Sequence, residues 1–298
     1  MLGDLSILLR VRQELLIFSD DFSKAFGCEL YFKPEWYGPT RAHKDKWAKA
    51  AIGLAKAAGA TKVAAISSGN QGLALAVEAH KHNIGCAICV GRSINPVYLD
   101  LFKKYDAEVI IGEDEAAKYE AFEKLVNEGY FPLGVTHEKR AQGKQMPGIE
   151  AYKVTAREIV DTLGQAPDIV VFPTAYANHP EGVLQGFIDL FAAKKIAGIP
   201  GFILVRARLA DGSEASSIAT DRTTPYITDV IQRSNGEFVF VNNQEMQLAH
   251  DEIVDNYGWD VELASAAGLA GLSKVPKSHL QNKQVVVMLT ALADKSGI

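Results

Sequence analysis

"KVAAISSGNQGLALAVEAHKHNIGCAICVG", residues 62–91, decides the fold. Its opening run, 62–67, is small and β-branched and predicts a strand. Residues 71–83 follow with helical spacing, and 85–91 form a second apolar strand run. The pattern continues outward: a helix over 95–107, a strand over 108–113 and a helix over 115–129. Strand and helix alternate, so the sheet is expected to be parallel, with helices wound on its faces.

A second series starts with a helix over 148–164, then a strand (168–173), a helix (180–195) and a strand (201–207). A helix over 265–275 and a strand over 284–290 close it. The expected fold class is α/β: two doubly wound parallel-sheet domains with the active site in the cleft between them. Residues 67–147, with part of 15–36, are assigned to a smaller domain, and 1–66 with 148–298 to a larger one. The polar, aperiodic stretch "EKRAQGKQMPG" (138–148) marks the boundary.

Composition excludes several classes. The chain has 298 residues, a net charge of -5, 48% hydrophobic and 22% charged residues. That balance is ordinary for a soluble globular protein and argues against nucleic-acid or anionic-membrane partners. No apolar run reaches the length of a membrane span. "LSILLRVRQELLIF" (5–18) is broken by Arg10, Arg12 and Glu14, and is not read as a signal peptide. Three cysteines fit a reducing compartment, so a cytoplasmic location is expected. Cys86 and Cys89 form a C-x-x-C, but on a strand they point to opposite faces, and no second Cys or His pair has metal spacing. Inert buried thiols are expected, and no metal.

Ligands of open α/β sheets bind beyond the carboxyl ends of the strands. Three loops leave such ends carrying small polar residues: "SSGN" (67–70), "TAYANHP" (174–180) and "TALADKS" (290–296). The first two turn directly into helices. A helix start with unpaired amides binds carboxylate or phosphate well, while Ser and Asn are also ordinary helix caps. A dinucleotide site would need G-x-G-x-x-G, and a hydrolase triad G-x-S-x-G; neither is present. "PTRAHKDKWAKAA" (39–51) begins as a rigid turn and becomes a helix, with Lys44 expected about one turn into it. A lysine there is either a solvated cation or an amine. The positive helix end favours its neutral, nucleophilic form, which forms Schiff bases.

Taken in order, these pieces resemble the fold-type II pyridoxal phosphate (PLP) enzymes, the group of threonine synthase, cysteine synthase and the tryptophan synthase β chain. "LYFKPEWYGPTRAHKDK" (30–46) is similar to K-x-E-x-x-N-P-T-G-S-F-K-D-R through Lys33, Glu35, Pro39, Thr40, Lys44 and Asp45. "SSGNQG" matches S-S-G-N-x-G. "PGIEAYKVTAREI", "ELASAAGLAGLSKV" and "VVVMLTALADKS" resemble further stretches in the same order, closest to threonine synthase.

The resemblance implies pyridoxal 5'-phosphate as cofactor, carried by Lys44 as the catalytic residue. It implies that Asn70 bonds the cofactor's phenolic oxygen, that Thr174, Ala175, Tyr176, Ala177 and Asn178 hold its phosphate, and that Thr290 faces its pyridine nitrogen. Ser67, Ser68, Asn70 and Gln71 match the loop that grips the substrate carboxylate, with Arg41 and His43 beside it.

The chain departs from the family pattern at several places, among them Lys46 where Arg is usual and "TALA" (290–293) in place of T-G-H-G. G-S-F before the lysine is Arg41-Ala42-His43, the phosphate loop has lost its glycines, with Asn178 the residue suited to the left-handed conformation, and the arginine of the P-Y-R motif is missing. The last change implies that a phosphorylated substrate loses a partner, which Arg41 is placed to supply from another side. The implied activity is elimination or replacement at the β or γ carbon of an amino acid with an activated side chain, threonine synthase-like. The alternatives are cysteine synthase-like or dehydratase/ammonia-lyase chemistry, or a degenerate binding protein of the same fold. A homodimer is implied.

Overall fold

The computed structural model of the chain describes residues 15–133, 147–223 and 225–298. Ten strands are described: β1 (Ile17–Phe18), β2 (Glu29–Pro34), β3 (Lys62–Ile66), β4 (Gly85–Gly91), β5 (Glu108–Gly112), β6 (Phe131–Pro132), β7 (Ile169–Pro173), β8 (Gly201–Arg206), β9 (Glu237–Phe240) and β10 (Gln284–Leu289). They form two sheets, and the chain divides into two compact units.

The first unit comprises the described parts of Tyr37–Ala151 with Lys295–Ile298. Its sheet has the order β5-β4-β3-β6, and every pair is parallel. β4 is central and buried on both faces, which explains its unbroken apolar sequence. Cys86 and Cys89 are therefore both buried, and burial pushes their thiols up to about 12 and about 11. Ala64, Ala87, Cys89, Phe122 and Leu125 form a core on one face of this sheet.

The expectation that residues 37–66 belong with the larger domain does not match this division. β3 pairs with β4 and β6, and the helix Lys44–Ala57 packs on the helix Asn70–Lys81, so 37–66 share the first unit's core. The boundary stretch 138–148 lies mostly outside the described residues.

The second unit comprises the described parts of Met1–Trp36 and Tyr152–Asp294. Its sheet has the order β1-β2-β10-β7-β8-β9, parallel except for the β1–β2 edge pair. One face packs on the helices Asn243–Tyr257 and Leu263–Leu272 through Val171, Val205, Val287, Met246 and Leu269. The helix Leu263–Leu272 is buried along its length, which its Ala- and Gly-rich composition permits.

β1, β2, β6 and β9 are not among the strands expected from the sequence. β2 is the instructive case. Its Lys33 is buried at 1% exposure yet bridges Glu35 (3.0 Å) and Glu158 (2.9 Å). Burial pulls its pKa down, but the two carboxylates outweigh that and hold it above the ordinary lysine value. A charged residue inside a strand hides the strand unless its partners are known.

Candidate active site

In the first unit the turn before Lys44 is built around Asp45. The amide of Thr40 donates to one Asp45 oxygen at 3.1 Å and its hydroxyl to the other at 2.7 Å. Lys295 is buried and donates to the Thr40 carbonyl at 3.4 Å. Gly38 is needed here by contact: a Cβ on it would stand 2.1 Å from Asp45 Oδ2. Burial raises the Asp45 pKa, against the Thr40 and Ala42 hydrogen bonds and the Lys295 charge.

The turn delivers Lys44 as the first residue of the helix Lys44–Ala57, earlier than the one-turn depth expected. His43 precedes it with helical backbone angles and makes no side-chain cap bond. Arg41 has φ 54°, the left-handed region, at the position where the resembling family has glycine.

The loop 67–70 leaves β3 and starts the helix Asn70–Lys81. Ser67 Oγ accepts the Gly72 amide at 2.9 Å, and a Cβ on Gly72 would meet the Ser67 carbonyl at 2.8 Å. Gly72 therefore lets the helix start close to the strand end. Asn70 Oδ1 accepts the Tyr98 hydroxyl at 2.8 Å, which orients its amide nitrogen to the opposite side. Ser68 is exposed, while Ser67, Asn70 and Gln71 are partly so. The sequence-predicted residues Arg41, His43, Lys44, Ser67, Ser68, Asn70 and Gln71 thus gather at the starts of two helices that pack together.

In the second unit the loop 174–178 joins β7 to the helix Asn178–Ala192. Thr174 donates its amide to Val205 O at 2.9 Å, and its Oγ1 accepts the Ala177 amide at 3.0 Å. The left-handed residue is Ala177 (φ 56°, ψ 19°), not Asn178 as the sequence suggested. Ala175 and Ala177 are buried and Tyr176 is partly exposed.

No side chain caps this helix, so the amides of its first turn suit an anion, although Pro180 contributes none. Glu181, in its first turn, would oppose one. Burial raises its pKa, and Arg233 pairs with it and supplies the compensating charge. Arg206, at 1% exposure, adds a buried cation: burial lowers its pKa, and Tyr176 and Asp221 act on it in the opposite direction. Thr290, also buried, lies at the end of β10 with its hydroxyl 2.9 Å from Ser265 Oγ.

Sequence reasoning did not assign Thr40, Tyr98, Ser265 or Lys295 to a site, although Thr40, Ser265 and Lys295 stand within the quoted motifs. A motif gives residue identity, whereas their contacts span 5, 28, 25 and 255 positions.

A lysine amine at a helix start in one unit, and an uncapped helix start beyond a parallel strand in the other, are features that suit a phosphorylated, amine-reactive cofactor. Residues 7–291 match the family described as pyridoxal-phosphate dependent enzyme, and the chain belongs to it. Its cofactor is pyridoxal 5'-phosphate. The chain is 26% identical over 281 residues to threonine synthase of Halalkalibacterium halodurans, covering 87% of this chain and 75% of that protein. It is 28% identical over 288 residues to threonine synthase of Bacillus sp. strain ULM1, covering 91% and 79%. The fold is shared with serine racemase of Dictyostelium discoideum (TM-score 0.79, 18% identity, 96% of each chain) and threonine deaminase isoform 2 of Solanum lycopersicum (0.75, 17%, 99% and 95%). The expected α/β architecture with two parallel sheets is thereby borne out as the fold-type II arrangement.

Each unit by itself holds residues of a kind the cofactor needs: in one the amine of Lys44 suits an aldehyde, and in the other the uncapped helix start at Asn178 suits a phosphate and the buried Thr290 hydroxyl a ring nitrogen. Among the described residues no helix is long and apolar enough to cross a membrane.

Proposed function

We propose that the protein catalyses elimination or replacement at the β or γ carbon of an amino acid bearing an activated side chain, as a threonine synthase-like enzyme. Bound PLP supplies the electron sink that makes the substrate's Cα proton acidic. Lys44 carries the cofactor, and its Nζ then takes and returns the proton at Cα. Ser67 and Ser68 with the amides of Asn70 and Gln71 bind the substrate carboxylate, as a helix start suits. The Asn70 amide nitrogen, oriented through Tyr98, serves the phenolic oxygen.

Thr174, Ala175, Tyr176, Ala177 and Asn178 hold the phosphate, and Thr290 meets the pyridine nitrogen. Arg41 and His43 border the side-chain end of the substrate. Three free, buried cysteines support a cytoplasmic setting. Family resemblance supports a homodimer.

The observation that carries the reading is Lys44 at the first position of its helix, in a turn locked by Asp45. Borohydride reduction followed by peptide mass spectrometry tests it. A pyridoxyl group on Lys44 is expected, and modification of another lysine, or of none, rejects it.

A further inference from the structure

Ser265 is fully buried, and its hydroxyl oxygen lies within hydrogen-bond distance of four polar atoms. These are the amides of Thr290 (3.1 Å) and Ala291 (2.8 Å), the Thr290 hydroxyl (2.9 Å) and the Ala291 carbonyl (3.0 Å). A hydroxyl has one hydrogen to give and two lone pairs to receive. Backbone amides only donate, so the two of them fill both lone pairs of Ser265. Its one hydrogen lies toward the Ala291 carbonyl or the Thr290 oxygen, and in either case Ser265 has no lone pair left for the Thr290 hydrogen. Thr290's own hydrogen is thereby directed away from Ser265.

We propose that Ser265 is a positioning residue that fixes the Thr290 hydroxyl as a hydrogen-bond donor, so that the PLP ring nitrogen facing it is held unprotonated. The proposal rests on the reading that Thr290 meets that nitrogen. Its consequence is chemical. A threonine hydroxyl that is free to turn can accept from a protonated ring nitrogen as readily as it donates to a bare one. The protonated ring is the stronger electron sink and opens side reactions at Cα. Backbone amides at the end of β10 set the direction of the Ser265 hydroxyl, and they do not turn.

The test is nitrogen NMR of enzyme reconstituted with PLP labelled with nitrogen-15 in the ring, without substrate. The wild type should show the unprotonated shift. Ser265→Ala should move it toward the protonated position, and Ser265→Thr should restore it. A wild-type shift in PLP-loaded Ser265→Ala overturns the proposal.

The alanine variant leaves two buried amides unpaired and can fail to fold. Ser265→Cys then serves, because a thiol accepts and donates weakly while filling the space. A shift part-way to the protonated position is expected, and an unchanged one overturns the proposal. Thr290→Val separates this from failure of the underlying reading. If it binds PLP with the wild-type shift, Thr290 does not meet the ring nitrogen, and both fall. If it alters the shift while the Ser265 variants do not, only the role of Ser265 falls.

Discussion

Thr40 binds the Asp45 carboxylate twice, through its amide at 3.1 Å and its hydroxyl at 2.7 Å, and so closes the turn that presents Lys44. Burial raises the Asp45 pKa above its usual value, more than the Thr40 bonds and Lys295 lower it. With the folded pKa above the unfolded one, this carboxyl's contribution to stability is present below about pH 4 and lost as pH rises through the folded value. Asn at position 45 does not titrate. The stability of wild type minus that of Asp45→Asn, from urea unfolding between pH 3.5 and 7 (roughly the span above an ordinary carboxylate), should therefore fall as pH rises. A difference that grows with pH would contradict this assignment.

Lys44→Ala should abolish the visible absorption of the bound cofactor and lower turnover by orders of magnitude, with unfolding still cooperative. Lys44 is only partly buried. Retained colour with retained activity would assign the chemistry to another residue.

Arg41 at φ 54° trades stability for a side chain. The left-handed region costs a non-glycine residue roughly 1–2 kcal/mol, and glycine gives back about 0.5–1 kcal/mol through its freer unfolded state. Arg41→Gly should thus stabilise the protein by up to about 1 kcal/mol. It should also raise KM for a substrate with an anionic side chain, O-phosphohomoserine included. Wild-type use of that substrate is itself expected to be poor, since the P-Y-R arginine is absent. Calorimetry and kinetics of the one variant read both effects, and an unchanged KM would remove Arg41 from the site.

Asn70 and Ala177 should fail differently. Asn70→Ala should weaken substrate binding and turnover more than cofactor retention, and Tyr98→Phe should reproduce a milder form by freeing the Asn70 amide. Ala177→Val places a β-branched residue at φ 56° in a buried loop, and should chiefly release PLP. Dialysis followed by cofactor absorbance separates the two. Cofactor loss from Asn70→Ala alone would reverse the roles.

The buried thiols give a simple count. Cys28, Cys86 and Cys89 are raised by burial to about 11, about 12 and about 11, and should ignore a thiol reagent at pH 8 in the native protein. All three should react in denaturant. Each keeps its folded pKa above its unfolded one, so the stability it contributes is lost as pH climbs toward those values.

The sequence by itself determined the alternation of strand and helix, because apolar periodicity is a local property. β4 over 85–91 and the helix starting at residue 115 are legible from their own residues. The residues proposed for the site, Lys44, the Ser67–Asn70 loop and Thr290, come from the resemblance to the family, whose motifs stand in the same order here. Only the tertiary structure decided what those residues lean on. β2 is a strand because β10 pairs along it and Glu158, 125 positions away from Lys33, neutralises its lysine. β3 belongs to the smaller unit because β4 and β6 bond to it. Ala177, not Asn178, takes the left-handed turn, because Thr174 Oγ1 binds its amide and the helix begins at the next residue. Hydrogen bonds and charge pairs formed across long stretches of chain leave no periodicity behind, so their partners are set by the fold and read only from it.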